Sequence, residues 1–322
     1  MAKLNWGLLG AGDIARKRIA PAFREIANCE LAAVSRSRAE LAEGFAAEFG
    51  IDRWYSDWHD LLADPDVDAV YIATPVHLHA EQSIAAAEAG KHILCEKPMA
   101  MNAAECDRII AACNANNVKL GVAYYRRFYP VIERIRLALA SGEIGKPVFA
   151  QINTFEYFNP GHDHPRRWFV EKARSGGGPM MDFGCHRLEV LTDLFGKVNR
   201  SVSIIANVEF DRDVEDTAAV LLHFELGTCA SLVVTHAARE SVDTLDIYGS
   251  EGSINVASLN SGVIKIKTAA GEHEESHPPA ANFHVPLIEE FADAVLNGRE
   301  PRVSGETGRL IAGLEDEIYA RP

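Results

Sequence analysis

The chain has 322 residues, 48% of them hydrophobic and 24% charged, a balance that excludes a fibrous or largely disordered protein. With 32 Lys and Arg against 46 Asp and Glu, the formal net charge is −14. Such a field repels phosphodiester backbones and anionic lipid, so neither a nucleic acid nor a membrane is expected as a partner. The length suits two domains better than one.

The first 120 or so residues alternate short apolar runs with amphipathic stretches, the pattern of right-handed βαβ crossovers and a parallel sheet. Predicted strands are 4–9, 31–35, 69–72, 92–95 and 119–122, with helices near 13–27, 38–49, 78–89 and 103–116. A helix over 129–141 is followed by the turn-rich run 142–147 and a long strand, 148–158. From 200 to 267 period-two alternation appears, clearest at 217–224 and 229–235, and suggests one antiparallel sheet. Helices are expected at 184–195, 286–296 and 306–319. The fold class is therefore α/β: an N-terminal doubly wound parallel sheet of the Rossmann type over 1–123, then an α/β domain with a large open, mostly antiparallel sheet over 124–322.

Six cysteines show no C-x-x-C spacing, and no run reaches the length of a bilayer span or a secretory h-region. A reducing, cytoplasmic location is expected.

Immediately after the first strand, Gly10, Gly12 and Ala15 form G-x-G-x-x-A at the opening of a helix. Gly10 permits the tight turn and Gly12 lets the backbone approach a pyrophosphate, which the N–H groups around Asp13 and Ile14 can receive. An NAD-specific site places an acid about 20 residues later to bind the ribose hydroxyls. Here Ser35, Arg36 and Arg38 stand at that point, and guanidinium groups suit a 2′-phosphate. NADP(H) is preferred, with NAD(H) the alternative.

The fifth strand ends in Glu96, Lys97 and Pro98, at the sheet edge where ligands of open α/β sheets bind. Proline biases Lys97 away from helical dihedrals and can aim its ammonium at the crevice. Farther on, a flexible glycine loop, Gly176 to Gly178, leads to Asp182 and His186. Four residues apart on a helix, carboxylate and imidazole share a face, and the acid can orient the ring.

Taken in order, G-x-G-x-x-A at 10–15, Thr74-Pro75 with His79, Glu96-Lys97-Pro98, and the glycine loop with Asp182 and His186 resemble the Gfo/Idh/MocA oxidoreductase family over nearly the whole chain. The resemblance implies hydride transfer between NAD(P) and a secondary alcohol or ketone of a sugar, cyclitol or related polyol. Carried over by position, Lys97, Asp182 and His186 are the catalytic residues, and Thr74, Pro75, His79, Glu96 and Lys97 line the dinucleotide. His186 is expected to act as general base and Lys97 to donate to the developing alkoxide. Relatives often carry Asn-Arg-Arg-Phe where this chain has Tyr125, Arg126, Arg127 and Phe128, so Tyr125 replaces an amide near the substrate or nicotinamide. Tyr157 and Trp168, in an aromatic and polar stretch suited to sugar rings, complete the expected substrate set with Tyr125, Arg126, Lys97, Asp182 and His186. No metal is expected, because His162 and His164 lack further ligands at telling spacing. The family's open sheet implies a homodimer or homotetramer. Two other readings are a glycosidase using transient nicotinamide oxidation and a non-catalytic nucleotide-sensing protein.

Overall fold

The computed structural model describes residues 3–320. It divides into two units: one runs up to Tyr125 and includes Ala281–Ala312, and the other comprises Arg126–Ala280 with the residues from Gly313 onward. The chain first passes from one unit to the other after Tyr125. Residues 281–312, assigned from sequence to the second domain, instead belong to the first unit.

In the first unit six parallel strands lie in the order β3-β2-β1-β4-β5-β6, where β1 is Leu4–Leu9, β2 Cys29–Ser35, β3 Arg53–Tyr55, β4 Ala69–Ile72, β5 His92–Cys95 and β6 Leu120–Val122. This is the doubly wound order, with the strand sequence reversing beside β1. The strands are nearly all apolar because helices cover both faces, and Leu8, Leu9, Val34, Val70, Ile72 and Ile93 are fully buried. Each such side chain contributes about 1.5–3 kcal/mol by leaving water. Trp6 sits between Phe23, at 5.2 Å, and Phe291, at 5.5 Å. Phe291 belongs to the helix His284–Leu296, which seats closely because β6 carries Gly121, where a Cβ would stand 2.6 Å from the Phe291 ring. A missing side chain on the sheet thus admits an aromatic from 170 residues later in the chain.

The helix expected over 13–27 is shorter and begins wider than an α-helix: a π-helical turn, Ala15–Ile19, runs into Ala20–Phe23. The strand β3 has only three residues, too few for alternation to show.

The second unit carries an eight-stranded sheet in the order β14-β13-β12-β11-β7-β10-β9-β8. Its strands are β7 Pro147–Tyr157, β8 Val198–Ala206, β9 Thr217–Phe224, β10 Cys229–Thr235, β11 Ala237–Gly249, β12 Gly252–Val256, β13 Val263–Thr268 and β14 Gly271–Ser276. The predicted bounds of β9 and β10 coincide with the observed ones, as expected where one face is buried and the pattern strict. The sheet is antiparallel except at its centre, where β7 and β10 run parallel. On β8 the alternation is inverted: Ser201 and Ser203 face inward, Ser203 donating to the Ile318 carbonyl at 2.9 Å, while Val202 and Ile204 point outward.

Candidate active site

The glycine turn follows β1 as its sequence requires. Gly10 has φ +93°, and a Cβ there would lie 2.7 Å from the Ala73 carbonyl oxygen, so only glycine fits. Its N–H and that of Ala11 donate to the Ser35 carbonyl at 3.0 and 3.2 Å, joining the turn to the end of β2. At Gly12 a Cβ would meet nothing closer than 3.8 Å, which leaves that side of the backbone open. These residues fit a dinucleotide: a tight turn fixed by its neighbours, with an open glycine beside the N–H groups of the following helical turn. Asp13 and Ile14 are exposed there, and Asp13 pairs with Lys17 at 3.0 Å.

At the end of β2, Ser35 is buried and Arg36 half-buried, its guanidinium donating to the Ala11 carbonyl at 2.8 Å. Burial, then the charges of Arg38 and Arg16, push Arg36 below the ordinary guanidinium value. Arg38 is exposed and 3.8 Å from Glu40.

After β4, Thr74 donates to Gln82 at 2.6 Å. His79 is buried with both ring nitrogens facing carbonyls, Pro98 at 2.9 Å and Thr74 at 2.8 Å. Burial pushes its pKa down and the two carbonyls oppose that. The ring therefore ties the segment containing Thr74 and Pro75 to the turn containing Lys97 and Pro98, whose peptide bond is cis. Lys97 is half-buried, and its backbone N–H donates to the Glu96 carboxylate at 3.2 Å.

In the second unit, Asp182 and His186 are both buried. The α-helix begins only at Cys185, and Asp182 lies in a preceding π-helical turn, Met180–Gly184, in which the Cys185 N–H reaches back to the Met180 carbonyl. The α-helical spacing assumed from sequence is thus replaced by a wider turn, a feature common at functional sites.

The glycine loop, expected to be flexible, is clamped. Glu215 accepts the N–H groups of Gly178 and Met180 at 2.9 and 3.0 Å and the Tyr319 hydroxyl at 2.8 Å. A Cβ on Gly178 would stand 2.0 Å from the Glu215 carbonyl oxygen, and one on Gly177 2.1 Å from the Tyr319 hydroxyl. Burial raises the Glu215 pKa while these donors pull it down.

His236, which stands in none of the sequence motifs, is a close electrostatic neighbour of Asp182. It is fully buried at the end of β10, faces Phe183 at 5.0 Å, and takes the Arg212 guanidinium on Nδ1 at 3.0 Å. Burial pushes its pKa down to about 4, against the pull of Asp182. At neutral pH the ring is uncharged.

Each remaining candidate has contacts of its own. Tyr125 opens the short turn Tyr125–Phe128 and faces Phe283 at 5.8 Å and His284 at 5.2 Å. Arg126 is buried, 3.4 Å from Asp243 and 3.3 Å from Asn260. Tyr157 is exposed at the end of β7 under the Arg239 guanidinium, 4.4 Å from its ring, and Trp168 lies 3.9 Å from the Phe169 ring.

Two family models match, one described as an oxidoreductase family with an NAD-binding Rossmann fold, over residues 4–124, and one as the GFO/IDH/MocA C-terminal domain, over 132–255. The chain belongs to the Gfo/Idh/MocA family. Within it, the chain is 31% identical over 318 residues to 1,5-anhydro-D-fructose reductase of Ensifer adhaerens, covering 96% of this chain and 94% of that protein. It is 27% identical over 315 residues to myo-inositol 2-dehydrogenase of Thermotoga maritima, covering 94% and 92%. Levoglucosan dehydrogenase, solved with NADH and levoglucosan, superposes with a TM-score of 0.91 at 26% identity over 99% of this chain and 97% of that one. The parallel six-stranded and mostly antiparallel eight-stranded sheets are those of this family.

Proposed function

We propose that this family member transfers a hydride between NADP(H) and a secondary alcohol or ketone of a sugar, cyclitol or related polyol. The observation that carries the reading is the buried Asp182 and His186 pair beside the neutral His236, in a chain whose relatives are named for an anhydrosugar, an inositol and levoglucosan. The preference for NADP(H) rests on the three neighbouring guanidinium groups of Arg16, Arg36 and Arg38 and on the lack of an acid at the end of β2.

When bound, nicotinamide takes up or returns the hydride at C4. In the oxidation direction His186 accepts the substrate hydroxyl proton, and Lys97 donates a hydrogen bond to the oxygen as negative charge grows on it. Asp182 keeps the His186 ring oriented, and in reduction the same groups return the proton. Tyr125, Arg126, Tyr157 and Trp168 complete the proposed substrate set, although Arg126 already serves Asp243 and Asn260. Free cysteines fit a reducing, cytoplasmic setting. The outward Val202, Ile204 and Leu221 support self-association through β8 and β9; among the described residues no helix is long and apolar enough to cross a membrane.

The test is a panel of anhydrosugars, cyclitols and ketosugars with both nicotinamides, run on wild type, Lys97→Met and His186→Ala. Each variant should bind NADPH within threefold of wild type while kcat falls about 100- to 10,000-fold. Undiminished turnover in both variants overturns the assignment.

A further inference from the structure

The mechanism above leaves unused a buried cluster behind the Glu96-Lys97 turn. Glu96 is a buried carboxylate at the end of β5 with three partners within the first unit. One oxygen accepts the Tyr71 hydroxyl at 2.8 Å and faces His284 Nε2 at 3.4 Å. The other accepts the Lys97 backbone N–H at 3.2 Å. His284, in the helix His284–Leu296, is itself buried; its backbone N–H is held by Asn282 Oδ1 at 3.1 Å, and its ring is flanked by Tyr125 at 5.2 Å and Tyr71 at 6.5 Å. His284 Nδ1 is buried with no hydrogen-bond partner among the described residues, so a neutral ring places its proton on Nε2, toward the carboxylate.

We infer that His284 is a positioning residue for Lys97, acting through Glu96. The inference rests on the proposed role of Lys97 and adds a residue that the nucleotide motifs do not contain. A lone buried carboxylate would be costly. Burial tends to raise the Glu96 pKa, but His284, the Lys97 charge and Tyr71 outweigh it and hold the group below its ordinary value. The carboxylate is thus ionised and fixed on one side by His284 and Tyr71, leaving its second oxygen to hold the backbone from which the Lys97 side chain departs. A lysine stem has large rotational freedom, and fixing its root narrows where the ammonium can go. Small misplacements of a catalytic group cost up to about 100-fold in rate.

The experiment compares His284→Gln, which keeps a donor at similar reach, with His284→Met, which fills the space without one. The Met variant should lose about 10- to 100-fold in kcat with KM for sugar and Kd for NADPH within threefold, and the Gln variant should recover to within about fivefold of wild type. A second readout needs no substrate: the acetylation rate of Lys97 by acetic anhydride, followed by peptide mass spectrometry against the exposed Lys267. That rate should change at least threefold in the Met variant and return in the Gln variant. Equal kcat in wild type and the Met variant, equal losses in both variants, an unmoved Lys97 rate, or a Met variant that fails to fold while the Gln variant folds would each overturn the inference. If wild type turns over no sugar yet the Lys97 rate follows His284, the sugar assignment falls and the positioning role stands.

Discussion

The Arg36 guanidinium donates to the backbone carbonyl of Ala11 at 2.8 Å, so the residue that would discriminate the two nicotinamides is anchored to the turn that would hold their shared pyrophosphate. The anchor uses one corner of a planar group with five donors and leaves the rest for a ligand. Arg36→Ala should therefore weaken NADPH binding about tenfold or more and NADH binding less than threefold, measured by fluorescence titration. Equal weakening of both would show that Arg36 only braces the turn.

Glu215 is the keystone of the glycine loop ahead of Asp182. Glu215→Gln replaces an acceptor with an amide donor facing N–H groups, leaving a buried donor unsatisfied at a cost of about 1–3 kcal/mol. Urea unfolding should report that loss, and kcat should fall more than cofactor affinity, because the displaced turn carries Asp182. Tyr319→Phe removes only one donor and should have the smaller effect.

His236 gives the protein an acid-sensitive stability. Its pKa is about 4 in the folded chain against the ordinary 6.5. The unfolded chain therefore takes up a proton that the folded one refuses, and stability should fall as pH drops from about 6.5 to about 4, by a ceiling of roughly 3 kcal/mol. Glu215, raised by burial, works in the opposite direction over the acid range. His236→Asn, which keeps an acceptor for Arg212, should flatten the acid fall in urea midpoints between pH 7 and 4.5; an unchanged slope would assign the fall to other groups.

What could be read in the sequence was what is local. Thr217–Phe224 and Cys229–Thr235 show their strands because each buries every second residue, and the glycine turn announces itself because Gly10 needs a backbone conformation that side chains forbid. Arg53–Tyr55 offers too few residues for any period. The parallel pairing of β7 with β10 depends on which strands meet, a matter that neither strand's own pattern records. Asp182 and His186 are visible as residue types, but the π-helical turn at Met180–Gly184 is not, and the Glu215 carboxylate that holds the Met180 N–H lies 35 residues away. His284 and His236 belong to no local motif, because their partners, Glu96 and Asp182, are distant in sequence.

The return of residues 281–312 to the first unit has a consequence for biosynthesis. Val122 leaves the ribosome about 160 residues before the helix that brings Phe291 to Trp6 and Gly121. At ordinary elongation rates that interval is on the order of 10–30 s. Throughout it the nascent nucleotide-binding half lacks one wall of its core, so this stretch of translation is when a holdase chaperone would have most to shield, and a fragment ending at Tyr125 would inherit the same bare surface permanently.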